Sequence, residues 1–92
     1  MSWKVKQTRR FGRVYKKLHN NIAAEVDKAV ETIARDPDIG EQKKGDLSQL
    51  WVYRFRCSNQ LYLLGYTREE SIRLIYLEAV GAHENYYRDL KR

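Results

Sequence analysis

Near the end of the chain, Gly81-Ala82-His83 sets a histidine two residues beyond a glycine, with Glu84, Tyr86 and Tyr87 close behind. Earlier, Arg54 and Arg56 stand two apart in the run WVYRFRC. Histidine as a residue type titrates near neutral pH, so it can take up and return a proton within one reaction cycle. Guanidinium groups hold phosphate oxygens with a permanent charge. Together these residues suit cleavage of an RNA strand. The 2′-hydroxyl must lose a proton, the charge on the pentavalent phosphate must be neutralised, and the leaving 5′-oxygen must gain a proton. The RNA supplies its own nucleophile, so such a site needs neither a metal ion nor a protein nucleophile. The plainer reading is a surface histidine, a solvated sheet face with two arginines, and tyrosines that pack the C-terminus. Spacing alone leaves both open.

Other candidates are weaker. Two histidines and one cysteine make a poor metal set, and Cys57 has no partner for an internal disulfide. It reads as a small buried hydrophobe. His19, in KKLHNN, reads as a helix-end residue, and Lys43-Lys44-Gly45-Asp46 as a charged loop. A chain of 92 residues is long enough for one domain, 1–92, with a modest core. With 42% hydrophobic and 12% aromatic residues, the body has enough apolar material to fold. No apolar run approaches the roughly 20 residues needed to span a bilayer. The opening MSWKVKQTRR lacks the apolar segment of a secretory signal. A cytoplasmic, reduced protein without metal, cofactor or membrane association is expected.

Charge is more informative. Eighteen Lys and Arg against twelve Asp and Glu give a formal net charge of +6. The excess sits at the two ends: Lys4, Lys6, Arg9, Arg10, Arg13, Lys16 and Lys17 at one, Arg88, Lys91 and Arg92 at the other. Such a balance favours a polyanion or an acidic protein partner. A merely soluble basic surface is the simpler alternative.

The elements that must position these groups follow from periodicity. Trp3 to Gln7 alternates apolar and polar, as a short strand does. Thr8 can cap a helix whose stripe is Phe11, Val14, Tyr15 and Leu18. His19-Asn20-Asn21 breaks it and offers a new cap. A second helix is expected from about Ile22 to Ala34, with Ile22, Val26, Ala29, Val30 and Ile33 on one face and Glu25 in its first turn. Asp36-Pro37-Asp38 ends it, because the residue before proline avoids the α region. From Leu50 the period becomes two. Trp51, Tyr53 and Phe55 fall on one face, with Val52, Arg54 and Arg56 on the other. Ser58-Asn59 is a turn, residues 60–67 a second strand, residues 68–70 a second turn and residues 71–80 a third strand. The expected fold is α+β. A short N-terminal strand and an α-helical hairpin pack on a three- to four-stranded antiparallel sheet, followed by a short C-terminal helix or tail. The aromatic face covers the helices and the arginine face stays open. By strand parity His83 continues the series Arg73, Ile75, Leu77, Ala79, Gly81, which would place it on the open face.

The order of elements and the stretches KKGDLSQLWVYRFRC, QLYLLGY and VGAHENYYRDLKR resemble the RelE/ParE superfamily of bacterial toxins over nearly the whole chain. The last stretch is similar to the Gly-x-His ending of RelE/YafQ-like mRNA interferases, which act on ribosome-bound mRNA. That resemblance implies a RelE-like fold and a toxin of a type II toxin–antitoxin system: a metal-independent endoribonuclease with no cofactor. His83 would be catalytic with Arg54 and Arg56, and Lys43, Lys44, Tyr87 and Arg88 would bind substrate. Glu78 has a YafQ-like counterpart and is assigned no catalytic role. The implied partners are a cognate antitoxin, the ribosome and its mRNA, and operator DNA for the toxin–antitoxin complex. Two positions depart from the pattern. Leu63 stands where many RelE-like toxins have a phosphate-binding arginine, and Val52 where RelE has a lysine. A ParE-like DNA gyrase inhibitor, or a basic nucleic-acid-binding adaptor without chemistry, therefore stands as the alternative.

Overall fold

A computed structural model of the chain describes residues 2–45 and 49–83. Along the chain come β1 (Lys4–Gln7), α1 (Arg9–Lys16), α2 (Asn20–Arg35), a 3-10 turn at Pro37–Ile39, β2 (Glu41–Gln42), β3 (Trp51–Cys57), β4 (Gln60–Glu69), a second 3-10 turn at Glu70–Ile72, and β5 (Leu74–Ala82). The strands form one sheet in the order β1-β5-β4-β3-β2, with β1 parallel to β5 and the other pairs antiparallel. The architecture is α+β, as expected. Its sheet has five strands rather than three or four, because the two-residue β2 extends it beyond β3.

Thr8 starts the helical layer. Its Oγ1 accepts a hydrogen bond from the Phe11 N–H at 3.1 Å, satisfying one of the free amides of the first turn. The same hydroxyl donates to the Leu77 carbonyl at 3.1 Å, so the cap also ties α1 to β5. The expected stripe of α1 faces the core, with Phe11 buried and its ring stacked on Tyr15 at 6.1 Å. In α2 the buried residues are Val26, Ala29, Ile33 and Ala34. Burial of a Val or Ile side chain contributes about 1.5–3 kcal/mol, which fixes the face this helix presents. It begins two residues before the expected start. His19 occupies the cap position without a side-chain cap bond, and Glu25 falls beyond the first turn. The helix ends where Asp36-Pro37 predicts, and the Asp36 carboxylate accepts from the Asp38 N–H at 3.2 Å to open the 3-10 turn.

In the sheet, Ser58 and Asn59 adopt φ of 53° and 64°, the pair of left-handed residues that a two-residue hairpin between twisted strands requires. Trp51, Tyr53 and Phe55 pack, half-buried, against a core of Phe11, Val26, Ile33, Leu64, Tyr66, Ile75, Leu77 and Val80. β4 runs two residues further than expected and the turn moves to Glu70–Ile72, closed by Arg73 at φ 49°.

Strict alternation along β5 fails. Tyr66 pairs with Leu77 while Gly65 pairs with Ala79, so Glu78 is an extra residue in β5. This bulge lets Ile75 and Leu77 on one side of it, and Val80 on the other, all join the helical core. Parity therefore puts Ile75 and Leu77 among the helices, not on the open face. Ala79 and Gly81 return to the open face because the bulge resets the phase. The expected C-terminal helix or tail, with Tyr86, Tyr87 and Arg88, lies outside the described residues.

Candidate nucleic-acid site on the open sheet face

Cross-strand register sets the geometry of the open face. Arg54 pairs with Leu63, which pairs with Gly81; Arg56 pairs with Leu61. The β4–β5 pairing continues to Tyr62 and Ala82, so strand order extends beyond the expected end at Val80. His83 follows directly and is exposed. It lines a shallow depression of ≈ 260 Å³ with Asn59, Gln60 and Leu61. Arg56, Leu61 and His83 make a row in this sense: Arg56 pairs with Leu61, and Leu61 lines the depression with His83. A guanidinium and an imidazole reaching over Leu61 from its two sides could both meet one phosphodiester.

Gly81 leaves room beside that row. A Cβ added there would meet nothing within 4 Å, so neither packing nor a turn demands a glycine at this position. The glycine lies within β5, which runs on to Ala82, and is not where the chain turns.

The cations are not equivalent. Arg56 is exposed and has no ion pair among the described residues. Arg54 reaches instead toward the sheet edge, where its Nη2 lies 3.3 Å from Glu41 Oε1. Lys43 Nζ lies 3.2 Å from the same oxygen. The hydrogen bond from Lys43, then the charges of Lys43 and Arg54, hold the Glu41 carboxyl below the usual carboxylate range. Lys44 is exposed at the end of this loop. Of the residues expected in the site, His83 and Arg56 share a row, Arg54 and Lys43 share Glu41, and Tyr87 and Arg88 are outside the described residues. Sequence reasoning missed Glu41, because a two-residue strand carries no period to read.

The middle of the open face is apolar. Val52, Leu63 and Ala79 are buried there with Leu50, and Leu61 packs against them. Val52 and Leu63, the two positions that depart from the family's cations, belong to this one cluster. A charged side chain at either would lie among buried apolar groups, so the two departures are physically consistent with each other. Among the described residues, the cations of the candidate site stand at the margins of this cluster, Arg56 toward His83 and Arg54 with Lys43 toward Glu41.

A separate cluster braces the sheet. Arg68 projects from β4 toward the tryptophans, its guanidinium 4.6 Å from the Trp51 ring centroid and 5.2 Å from that of Trp3. It pairs with Asp38 at 2.6 Å and Glu70 at 2.7 Å. Beside it Tyr66 donates its hydroxyl to the Pro37 carbonyl at 2.5 Å and accepts from the Gly40 N–H at 3.1 Å. Burial pushes the Tyr66 phenol up to about 12. These contacts hold β3 and β4 against the turn that leads to β2, and so hold Glu41 near Arg54.

Comparison with known proteins agrees with this architecture. The family model described as "ParE-like toxin of type II bacterial toxin-antitoxin system" matches residues 5–91. The chain therefore belongs to the ParE-like toxin family, within the RelE/ParE superfamily of type II toxins. Among solved structures it is similar to the RelBE2 toxin–antitoxin complex of Mycobacterium tuberculosis, with a TM-score of 0.79 at 21% identity, covering 90% of this chain and 100% of that one. An arginine-to-alanine double mutant of Escherichia coli toxin RelE in the free state gives a TM-score of 0.77 at 16% identity, covering 99% and 92%. The archaeal RelE–RelB complex of Pyrococcus horikoshii gives 0.62 at 17% identity, covering 89% and 96%. No curated protein matches. At these identities the structures speak to the fold. Among the described residues, no helix is long and apolar enough to cross a membrane.

Proposed function

We propose that this toxin is a ribosome-dependent mRNA interferase, a metal-independent endoribonuclease that arrests growth by cutting mRNA during translation in the cytoplasm. The observation that carries this reading is the Arg56–Leu61–His83 row on the open sheet face. His83 acts as general acid or base, and Arg56 neutralises the charge that builds on the phosphate in the transition state. Arg54 and Lys43, already drawn together by Glu41, hold a neighbouring phosphate, with Lys44, Tyr87 and Arg88 completing substrate binding. One imidazole and one unpaired guanidinium are a sparse set for full acid–base catalysis. Much of the alignment must come from the ribosome, which holds the mRNA in a fixed path and makes the reaction effectively unimolecular.

The neighbours that are toxin–antitoxin complexes support a cognate antitoxin here as well, and the open basic face suits an acidic segment that folds on binding. The ParE-like family description and the apolar Val52–Leu63 cluster favour a second reading, inhibition of DNA gyrase without nuclease chemistry.

His83→Gln separates the two. A positioned general acid–base contributes about 10²–10⁴-fold in rate. The variant should keep its fold and its antitoxin binding, yet lose mRNA cleavage on translating ribosomes and growth arrest. Undiminished cleavage by the variant removes His83 from the chemistry. Blocked DNA supercoiling with intact mRNA assigns the protein to the gyrase-directed branch.

A further inference from the structure

We propose that the solvent face of α1 docks the phosphate backbone of a folded RNA, apart from the face that carries His83. The charge distribution points there. Residues 1–24 hold seven Lys and Arg and no Asp or Glu, while the remaining residues hold eleven against twelve. The whole net charge of +6 therefore belongs to β1, α1 and the start of α2.

The fold turns this composition into a surface. α1 buries Phe11 and half-buries Val14 and Tyr15, so its cations project outward. Arg9, Arg13 and Lys16 line a groove of ≈ 370 Å³ whose other walls are Gln7, Thr8 and Gly12. The eight residues from Arg9 to Lys16 set the three cations along about 10 Å of the helix axis. None of the three has an ion pair among the described residues. On β1, the sheet's outer strand, Lys4 and Lys6 flank Val5, which packs into the helical core, so these two cations project to the other face and are not part of the groove. Gly12 keeps the floor low: a Cβ there would come within 3.2 Å of the Gln7 amide nitrogen.

The lining selects the occupant. Protein partners gain affinity by burying aromatic and aliphatic anchors at the centre of an interface. This groove offers none: its walls are cations, a hydroxyl, an amide and a glycine. Phosphates need only charge and donors, which it supplies. RNA rather than DNA follows from the proposed function and rests on it, since the substrate there is held by a particle built on folded RNA. The helical layer would then supply affinity and the opposite sheet face the chemistry.

The test measures binding of purified ribosomal RNA by filter retention over a range of salt, so that no cleavage is needed for a readout. Neutralising three phosphate contacts should lower the slope of log affinity against log salt by roughly 2 to 3. That loss is expected for Arg9→Gln/Arg13→Gln/Lys16→Gln. Arg9→Lys/Arg13→Lys should retain the wild-type slope, and both variants should melt cooperatively, because all three side chains are exposed. On translating ribosomes the triple variant should raise KM and leave kcat unchanged. A triple-variant slope equal to wild type overturns the proposal, whatever the protein does to mRNA. So does a loss of antitoxin binding with RNA binding intact, or a wild-type preference for duplex DNA over ribosomal RNA that the triple variant abolishes. Retained RNA docking in a protein that never cleaves mRNA would instead fault the nuclease reading alone.

Discussion

Replacing Tyr66 with phenylalanine should weaken the fold at neutral pH and make it more tolerant of alkali. The side chain is fully buried, its hydroxyl donating to the Pro37 carbonyl and accepting from the Gly40 N–H. Removing the oxygen deletes two hydrogen bonds, each worth about 1 kcal/mol net, so Tyr66→Phe should cost about 2 kcal/mol at pH 8. Alkali acts in the other direction. Burial raises this phenol from the ordinary 10.0 to about 12. Between those values the unfolded chain releases the proton and the folded chain keeps it. Stability from this group is fully present below pH 10 and is lost as pH climbs to about 12, at about 1.4 kcal/mol per pH unit and about 3 kcal/mol in all.

Phenylalanine has no proton to lose, and every other group titrates alike in the two proteins. The stability gap should therefore shrink from about 2 kcal/mol at pH 8 to under about 1 kcal/mol at pH 11, and reverse near pH 12. Urea unfolding followed by far-ultraviolet circular dichroism at pH 8, 10 and 11 reads the gap directly. A gap that stays constant through pH 11 would show that the hydroxyl is not held in a dry site, and would refute the reasoning.

Gly81→Ala should leave the melting temperature within about a degree, because its Cβ meets no neighbour, yet lower cleavage if substrate runs over the Leu63–Gly81 row; unchanged cleavage places the substrate elsewhere. Leu63→Arg should destabilise the protein by several kcal/mol in urea titration, since a charge would enter a buried apolar cluster, and should not act as a gain of phosphate affinity. Arg56→Gln should lower the cleavage rate more than Arg54→Gln, because Arg54 is already paired with Glu41; an equal effect of the two would undo the distinction drawn between them.

What could be read in the sequence was local. Thr8 announced its cap, the stripes of the two helices announced their faces, and alternation along residues 51–57 sorted aromatics from arginines. Each of these signals lies within one element and needs no knowledge of its neighbours. The parallel pairing of β1 with β5 joins residues about seventy apart, and nothing local distinguishes that edge from another. The apolar cluster of Val52, Leu63 and Ala79 draws on three strands, so no one of them displays it. β2 is too short to have a pattern.

The bulge in β5 is the instructive case, because apolar residues on both faces of the strand mask the change of phase. In LIYLEAV the positions that join the helical core run Ile75, Leu77, Val80, so their spacing lengthens from two to three across Glu78. That lengthening is the signature of one inserted residue. Strict alternation assigned Ile75 and Leu77 to the open face and reached the right side for Ala79 and Gly81 only because its error preceded the bulge. Continued without the bulge, the true phase of Ile75 and Leu77 would have carried Gly81 to the helical side. The single extra residue at Glu78, whose carboxylate accepts from the Thr67 hydroxyl at 2.7 Å, therefore decides which face the end of β5 presents. Deleting Glu78 would push the residues beyond it through half a pleat. Gly81 would then turn toward the helices and Val80 toward solvent, at a cost of about 2 kcal/mol for the valine alone. The Arg56–Leu61–His83 row depends on that one bulge as much as on the three side chains in it.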